Sequence, residues 1–291
     1  MTTAVAEPRV VATVAEARAA LDAERRAGRS VGFVPTMGGL HAGHRSLMEA
    51  SVAANDVTIV SIFVNPLQFA PGEDLDAYPR DLDHDLGVCA EAGVDLVFAP
   101  TVDEMYPQPI ETVVEVPVVA APLEGEARPE HFAGVATVVA KLFAIAGPCC
   151  AYFGAKDWQQ VAVVRRMAAD LSMPVDVVSC PTVREADGLA MSSRNVYLTP
   201  DEREQAPVLR RALDAGLAAI DGGETDPAVV EAVMADVVAT APLARLEYSA
   251  AVPARSLVAD GPLCGEIRLL LAVRFGRARL IDNDGRVVPG R

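Results

Sequence analysis

The stretch VGFVPTMGGLHAGH, residues 31–44, decides how the rest of the chain is read. Val31 to Val34 is a short apolar run closed by Pro35, which predicts a buried strand. Gly38, Gly39 and Gly43 follow, and a helical stretch runs on to about Asn55. A strand turning through glycines into a helix is the repeating unit of a doubly wound sheet. Working outward, Thr13 to Ala27 reads as a helix with a Thr13/Glu16 capping box and Gly28 as its stop. Val57 to Val64 is almost wholly apolar and β-branched, the pattern of a strand covered on both faces. Asn65 to Arg80 is a long Pro-containing loop. A helix over Asp81 to Ala92 leads to a strand at Leu96 to Ala99, and a further strand is expected at Thr112 to Val116. Val135, Val138, Val139, Leu142 and Phe143 mark one face of a helix. Strand Ala151 to Phe153, helix Asp157 to Leu171 (capped by Asp157) and strand Val175 to Ser179 complete the alternation. After Pro181 the pattern changes to a loop, two helices over Pro200 to Ala239, and strands at Leu246 to Val252, Arg268 to Ala272 and Arg279 to Asp282. The expected fold is therefore α/β, a doubly wound Rossmann-like parallel sheet over residues 1–182. A smaller α+β C-terminal domain over 183–291 would act as a lid.

Composition excludes several classes. With 51% hydrophobic and 22% charged residues, the 291-residue chain is globular. A net charge of −15 argues against a nucleic-acid partner. The N-terminal residues do not read as a signal peptide, and no apolar run reaches the ~18 residues of a membrane span. The five cysteines, Cys89, Cys149, Cys150, Cys180 and Cys264, include no C-x-x-C pair, so neither a disulfide framework nor a zinc site is expected and a cytoplasmic setting fits. Of 25 basic residues only Lys141 and Lys156 are lysines. A chain that uses arginine nearly everywhere retains lysine where a compact ammonium is wanted.

Five stretches could carry chemistry. Met37 to His44 lies where a strand turns into a helix; its glycines admit close approach and the helix start favours an anion. It is neither a Walker A loop nor G-x-G-x-x-G. His41 and His44 can donate to phosphate oxygens. Gly154, Ala155, Lys156 and Asp157 put a lysine at a helix start, where it opposes the dipole unless an anion is bound. Gln160 follows one turn later. Met191, Ser192, Ser193 and Arg194 offer hydroxyls and a guanidinium to phosphate. Asn65 and Gln68 follow the central strand and suit hydroxyl or carboxylate recognition. Arg128 and His131 precede a helix. Taken singly, each has a purely structural alternative: a Gly-rich turn, a solvated loop lysine, a polar linker, an Asn-Pro turn, a capping segment. Together they converge on a nucleotide and a small polar acid.

MGGLHAGH, IFVNPLQF, RPEHFAGV, FGAKDWQQ and PTVREADGLAMSSRN, in that order between about residues 30 and 200, resemble the signature blocks of the pantothenate synthetase (pantoate–β-alanine ligase) family. That family belongs to the class I aminoacyl-tRNA synthetase-like nucleotidyltransferases. The resemblance implies ATP-dependent ligation of pantoate and β-alanine to pantothenate through pantoyl adenylate, with release of pyrophosphate and AMP. It also implies Mg2+ with the ATP, and a homodimer. Carried over by motif, Met37, Gly38, Gly39, Leu40, His41, Ala42, Gly43 and His44 would bind ATP, with His44 the proton donor. Gly154 to Asp157, Val183 and Met191 to Arg194 would complete the ATP set. Gln68 and Gln160 would meet pantoate, Gln68 also β-alanine, with Asn65, Arg128 and His131 beside them. His41, His44, Lys156 and Arg194 are the candidate catalytic groups, and Asp85 the candidate metal ligand.

The chain departs from the family pattern at Ala42 and Ala155, each in place of Glu, and at Trp158, in place of Tyr. His84 interrupts the acidic cluster Asp81, Asp83 and Asp85. Altered ATP affinity with the reaction retained is expected. Trp158, the sole tryptophan, is expected partly buried and responsive to ATP, or else packed in the core. Two rivals remain at this level: a nucleotidyltransferase that stops at AMP or CMP transfer, and a nucleotide-sensing protein without turnover.

Overall fold

The computed structural model describes residues 7–69, 75 and 78–289. The chain runs β1 (Arg9–Val11), α1 (Val14–Arg26), β2 (Val31–Thr36), α2 (Ala42–Ala54), β3 (Val57–Ile62), a 3-10 turn (Pro66–Gln68), α3 (Leu82–Ala92) and β4 (Leu96–Phe98). Three short helices follow, α4 (Val102–Met105), α5 (Pro117–Ala120) and α6 (Glu124–Ala127), then α7 (His131–Ala146), β5 (Cys149–Gly154), a 3-10 turn (Ala155–Asp157), α8 (Trp158–Asp170) and β6 (Val175–Cys180). The remainder is a 3-10 turn (Ser193–Tyr197), α9 (Pro200–Gln205), α10 (Val208–Asp221), α11 (Pro227–Ala239), β7 (Ala244–Pro253), β8 (Gly265–Phe275) and β9 (Ala278–Val288).

Two compact units emerge. Residues up to Ala120, Glu124–Gly154 and Val163–Cys180 form the first; Ala121–Leu123, Ala155–Ala162 and Pro181 onward form the second. The expected division after residue 182 is a cut in chain order, whereas two short segments before it group with the second unit.

The first unit is a parallel sheet in the order β1-β4-β3-β2-β5-β6. Chain order reverses between β2 and β5, the switch point at which open α/β sheets bind ligands. Helices cover both faces because side chains alternate along each strand. Val34 and Val60 pack with Leu47 and Met48 of α2 and Cys89 of α3. Phe33, pointing the other way, meets Phe143 of α7 edge-on at 6.5 Å.

Several expectations shift. β2 continues through Pro35, which pairs with Ser61, instead of ending before it. The β5 ladder on β2 has stopped by Phe33, so the proline's missing N–H breaks no ladder on that side. β1, a three-residue edge strand, was too short to show in the sequence. The strand expected at Thr112 to Val116 joins no sheet: Val113 is exposed, and Val114 N–H donates to Thr137 Oγ1 at 2.9 Å. Helix α7 is buried on nearly all sides, not one face, because α1, β2 and the Pro66–Gln68 turn all pack on it. Of the loop from Asn65 to Arg80, residues 70–74, 76 and 77 lie outside the described residues.

The second unit packs α10 and α11 on an antiparallel sheet, β7-β8-β9. Three helices stand where two were expected, because Pro207 cannot continue α9 and instead precedes α10. All five cysteines are free thiols. Burial pushes the Cys89 and Cys149 thiols up to about 12, so neither is a nucleophile at neutral pH.

Candidate active site

The turn after β2 is built backbone first. Gly38 and Gly39 have φ of +84° and +62°, left-handed values that suit glycine. A Cβ on Gly38 would stand 2.8 Å from Asp85 Oδ2. That carboxylate is 1% exposed and pins the turn: Oδ2 accepts from Gly39 N–H at 3.0 Å and Oδ1 from Leu40 N–H at 2.8 Å. His84, one residue earlier on α3, places Nε2 3.2 Å from the Leu40 carbonyl, so that nitrogen carries the proton. Asp81 caps α3 by accepting from His84 N–H.

Asp85, the candidate metal ligand, is thus engaged with His84 in holding the nucleotide-loop candidate. Among the described residues no group of three or more His, Cys, Asp or Glu is placed to hold a metal ion. Asp85→Asn keeps the shape but has only one acceptor oxygen for two amides. It is expected to destabilise the metal-free protein by about 1–3 kcal/mol, read as a lower melting temperature without added magnesium. A residue that served only as a metal ligand would leave that melt unchanged.

The two histidines cap α2. His41 is the N-cap, and its Nδ1 accepts from Gly43 N–H at 3.0 Å. His44 stands at the third helical position, and its Nδ1 accepts from His41 N–H at 3.3 Å. This is a capping box made of imidazoles, with ring centroids 4.2 Å apart. Each Nδ1 is an acceptor, so each neutral ring carries its proton on Nε2. The His-x-x-His spacing therefore sets both tautomers.

The same turn reaches the substrate-amide candidates through Met37, whose Sδ accepts from Gln68 Nε2 at 2.9 Å. Gln68 Oε1 accepts from Asn65 Nδ2 at 3.1 Å. His131 Nδ1 and Arg128 both meet the Gln68 carbonyl, at 3.1 and 3.4 Å. These two contacts hold the turn that carries Gln68. Gly134 lets that turn sit on α7: a Cβ there would stand 2.2 Å from the Leu67 carbonyl oxygen. The structure therefore brings Met37, the Gly38–His44 turn, Asn65, Gln68, Arg128 and His131 into one hydrogen-bonded assembly in the first unit. Gly154 ends β5 in that unit.

The other candidates belong to the second unit. Lys156 lies in the Ala155–Asp157 turn, its side chain 16% exposed and its Nζ 3.7 Å from Asp157 Oδ1. Asp157 is thus part of a 3-10 turn preceding α8. Asn283 of β9, itself buried, donates from Nδ2 to the carbonyls of Ala155 at 2.9 Å and Lys156 at 2.7 Å. Gln160 is half-buried in the first turn of α8. The Val183 carbonyl accepts from Met191 N–H at 2.9 Å, and Ser192 Oγ from Arg194 N–H at 3.2 Å. Ser193 and Arg194 are exposed.

Trp158 follows the core-packed alternative, not the partly buried one. It is 4% exposed, its N–H donates to the Ala254 carbonyl at 2.8 Å, and the Arg268 guanidinium lies 3.5 Å from its ring centroid. The residue after the turn points inward, and its indole is anchored in the core. Nothing in the sequence pointed directly to Asn283, which acts on Lys156 from 127 positions away. Its only signal is the polar run Asp282-Asn283-Asp284 inside an otherwise strand-like stretch.

Comparison with known proteins finds relatives over nearly the whole chain. The family model for Pantoate-beta-alanine ligase matches residues 9–284. The pantothenate synthetase of Sinorhizobium medicae is 54% identical over 276 residues, covering 94% of this chain and 95% of the relative. That of Agrobacterium fabrum is also 54% identical, covering 94% of each. The crystal structure of pantothenate synthetase from Thermus thermophilus superposes with a TM-score of 0.89 at 50% identity, covering 97% of this chain and all of that one. The pantoate-beta-alanine ligase of Francisella tularensis, complexed with beta-gamma ATP and beta-alanine, superposes with a TM-score of 0.76 at 33% identity, covering 95% and 97%.

Proposed function

The chain belongs to the pantoate–β-alanine ligase family, and from that membership we propose which of its residues carry the reaction. The enzyme joins pantoate and β-alanine with ATP. A pantoate carboxylate oxygen attacks the α-phosphorus, the bond to the β-phosphate oxygen breaks, and pyrophosphate leaves. The β-alanine amine then attacks the acyl carbon of pantoyl adenylate, loses a proton, and expels AMP. No protein nucleophile is needed.

The observation that carries the assignment is the imidazole capping box. Each Nδ1 is engaged by a backbone amide, so each Nε2–H is a donor at a helix start, which suits a phosphate. Met37 joins that turn directly to the Gln68 amide. We assign His41 and His44 to the triphosphate, with His44 donating to the leaving oxygen. Gly38 to Gly43 provide close backbone approach. Lys156 and Arg194 neutralise charge that develops at phosphorus, and Gly154, Ala155, Asp157, Val183, Met191, Ser192 and Ser193 line the nucleotide's path. Gln68, Asn65 and Gln160 present amides to pantoate, and Gln68 also to β-alanine. Arg128 and His131 serve them by holding Gln68.

The described residues do not themselves form a magnesium cage, so Mg2+ is assigned to the triphosphate that brings it. A cytoplasmic homodimer completes the reading, with a sedimentation mass of twice the 30.6 kDa chain. The test is isotope exchange. Pantoate alone should support ATP–pyrophosphate exchange, and net AMP release should require β-alanine. Exchange that needs β-alanine from the start rules out a free-standing adenylate; ATP binding without pyrophosphate release makes the protein a sensor.

A further inference from the structure

We infer that Tyr106 is a positioning residue: by holding Asn65 it steadies the Gln68 amide with its Nε2 end toward the acid substrate. The inference rests on the reading of Gln68 as a pantoate contact. Tyr106 follows α4 and is half-buried, its ring edge-on to Phe63 at 5.9 Å, with the Lys141 ammonium 5.3 Å from its centroid. Its hydroxyl donates to Asn65 Oδ1 at 2.8 Å. Burial pushes that hydroxyl up to about 12, so it remains a donor throughout the neutral range.

Asn65 is 1% exposed, and both ends of its amide are engaged. Oδ1 also accepts from Leu67 N–H at 3.3 Å. Nδ2 donates to the Gly134 carbonyl at 3.2 Å and to Gln68 Oε1 at 3.1 Å. A backbone N–H can only donate and a backbone carbonyl can only accept, so the amide has one orientation. Gln68 Oε1 is consequently turned toward Asn65, and Nε2 is the end directed at Met37 Sδ. A thioether is a weak acceptor. A carboxylate or hydroxyl oxygen of the substrate displaces it and receives the same N–H, without any rotation of the glutamine.

Removing the Tyr106 hydroxyl leaves Asn65 Oδ1 with one donor where it had two. Asn65 keeps the orientation that Leu67 and Gly134 give it but is held less firmly, so the Gln68 amide paired with it is less sharply placed and its Nε2–H meets the substrate oxygen less well. Tyr106→Phe keeps the ring and its packing. It is expected to raise the pantoate KM about five- to tenfold, the scale of one neutral hydrogen bond, with kcat and the ATP KM within about twofold of the parent. In a Gln68→Ala background the same change should add less than about twofold, since no amide remains to orient.

Steady-state kinetics on the parent, the two single variants and the double variant separate the outcomes. If Gln68→Ala leaves the pantoate KM unchanged, the underlying reading of Gln68 falls, and this inference with it. If Gln68→Ala raises that KM while Tyr106→Phe does not, only the role of Tyr106 is overturned. Additive effects in the double variant, or a parallel rise in the ATP KM, would make Tyr106 merely structural and likewise overturn it.

Discussion

Lys156→Ala is expected to lower turnover about 10²- to 10³-fold, roughly 3–4 kcal/mol of transition-state stabilisation, while the protein stays folded. The loss follows from the role proposed for the side chain, to hold positive charge where a carboxylate attacks a triphosphate. The retention of fold follows from how the turn is held. Asn283 bonds the carbonyls of residues 155 and 156, and these bonds do not involve the lysine side chain. Replacement by Ala therefore removes an ammonium and little else. Lys156→Arg should recover only part of the rate, because a planar fork cannot reproduce a compact point charge. His44 needs a finer substitution. His44→Ala deletes both a proton donor and the acceptor for His41 N–H, so a rate loss would mix chemistry with capping. His44→Gln keeps an acceptor at the third helical position, as capping boxes commonly do, and removes only the imidazole. Its rate should fall as far as that of His44→Ala while its melting temperature stays closer to the parent. Near-normal turnover of Lys156→Ala would return this lysine to an ordinary loop position.

Features that are local in sequence were legible, and features that close over long separations were not. Thr13 and Glu16 form the expected capping box, with the hydroxyl and carboxylate three residues apart. Val57 to Ile62 is as thoroughly buried as its β-branched run suggests. The two histidines could be picked out by their spacing, yet their capping role needed the N-cap geometry, because the residues preferred at that position are Ser, Thr, Asp and Asn. For Asp85 the sequence left the structural role unread for a physical reason: a carboxylate that accepts two backbone amides and one that binds a cation look the same in a sequence. Trp158 turned on helix phase, which a one-residue change in the start of α8 rotates by about 100°. Tyr106 to Asn65 spans 41 positions, and no periodicity links a residue after one strand to a residue after another.

A second large effect lies in the loop that carries the Ser-Ser-Arg segment. Arg184 forks onto Asp282, NH1 to Oδ2 at 2.6 Å and NH2 to Oδ1 at 3.0 Å, and NH1 also donates to the Gly188 carbonyl. The carboxylate is 1% exposed, the guanidinium 21%. Planar pairing of this kind needs arginine. Beyond it, Arg203 fastens the same loop through Glu185 at 2.5 Å and Asp187 at 2.6 Å, and Asn195 donates to Glu185 at 2.9 Å. Removing Arg184 leaves Asp282 charged and buried, with the Asn283 backbone amide still donating to it at 2.8 Å. Breaking one side of a buried pair costs about 3–5 kcal/mol. Arg184→Ala should sit near the lower figure, since a fifth of the guanidinium side is open to water. At roughly 2–4 °C per kcal/mol for a chain of this size, its melting temperature should fall by about 6 °C or more. Arg203→Ala, whose partners are a third exposed, should cost less than half as much. The discriminating variant is Arg184→Ala combined with Asp282→Ala. It removes the stranded charge, so it should melt above the Arg184→Ala single variant despite carrying one more substitution. If the double variant melts lower instead, the cost is lost packing at β9, not a buried carboxylate without its partner.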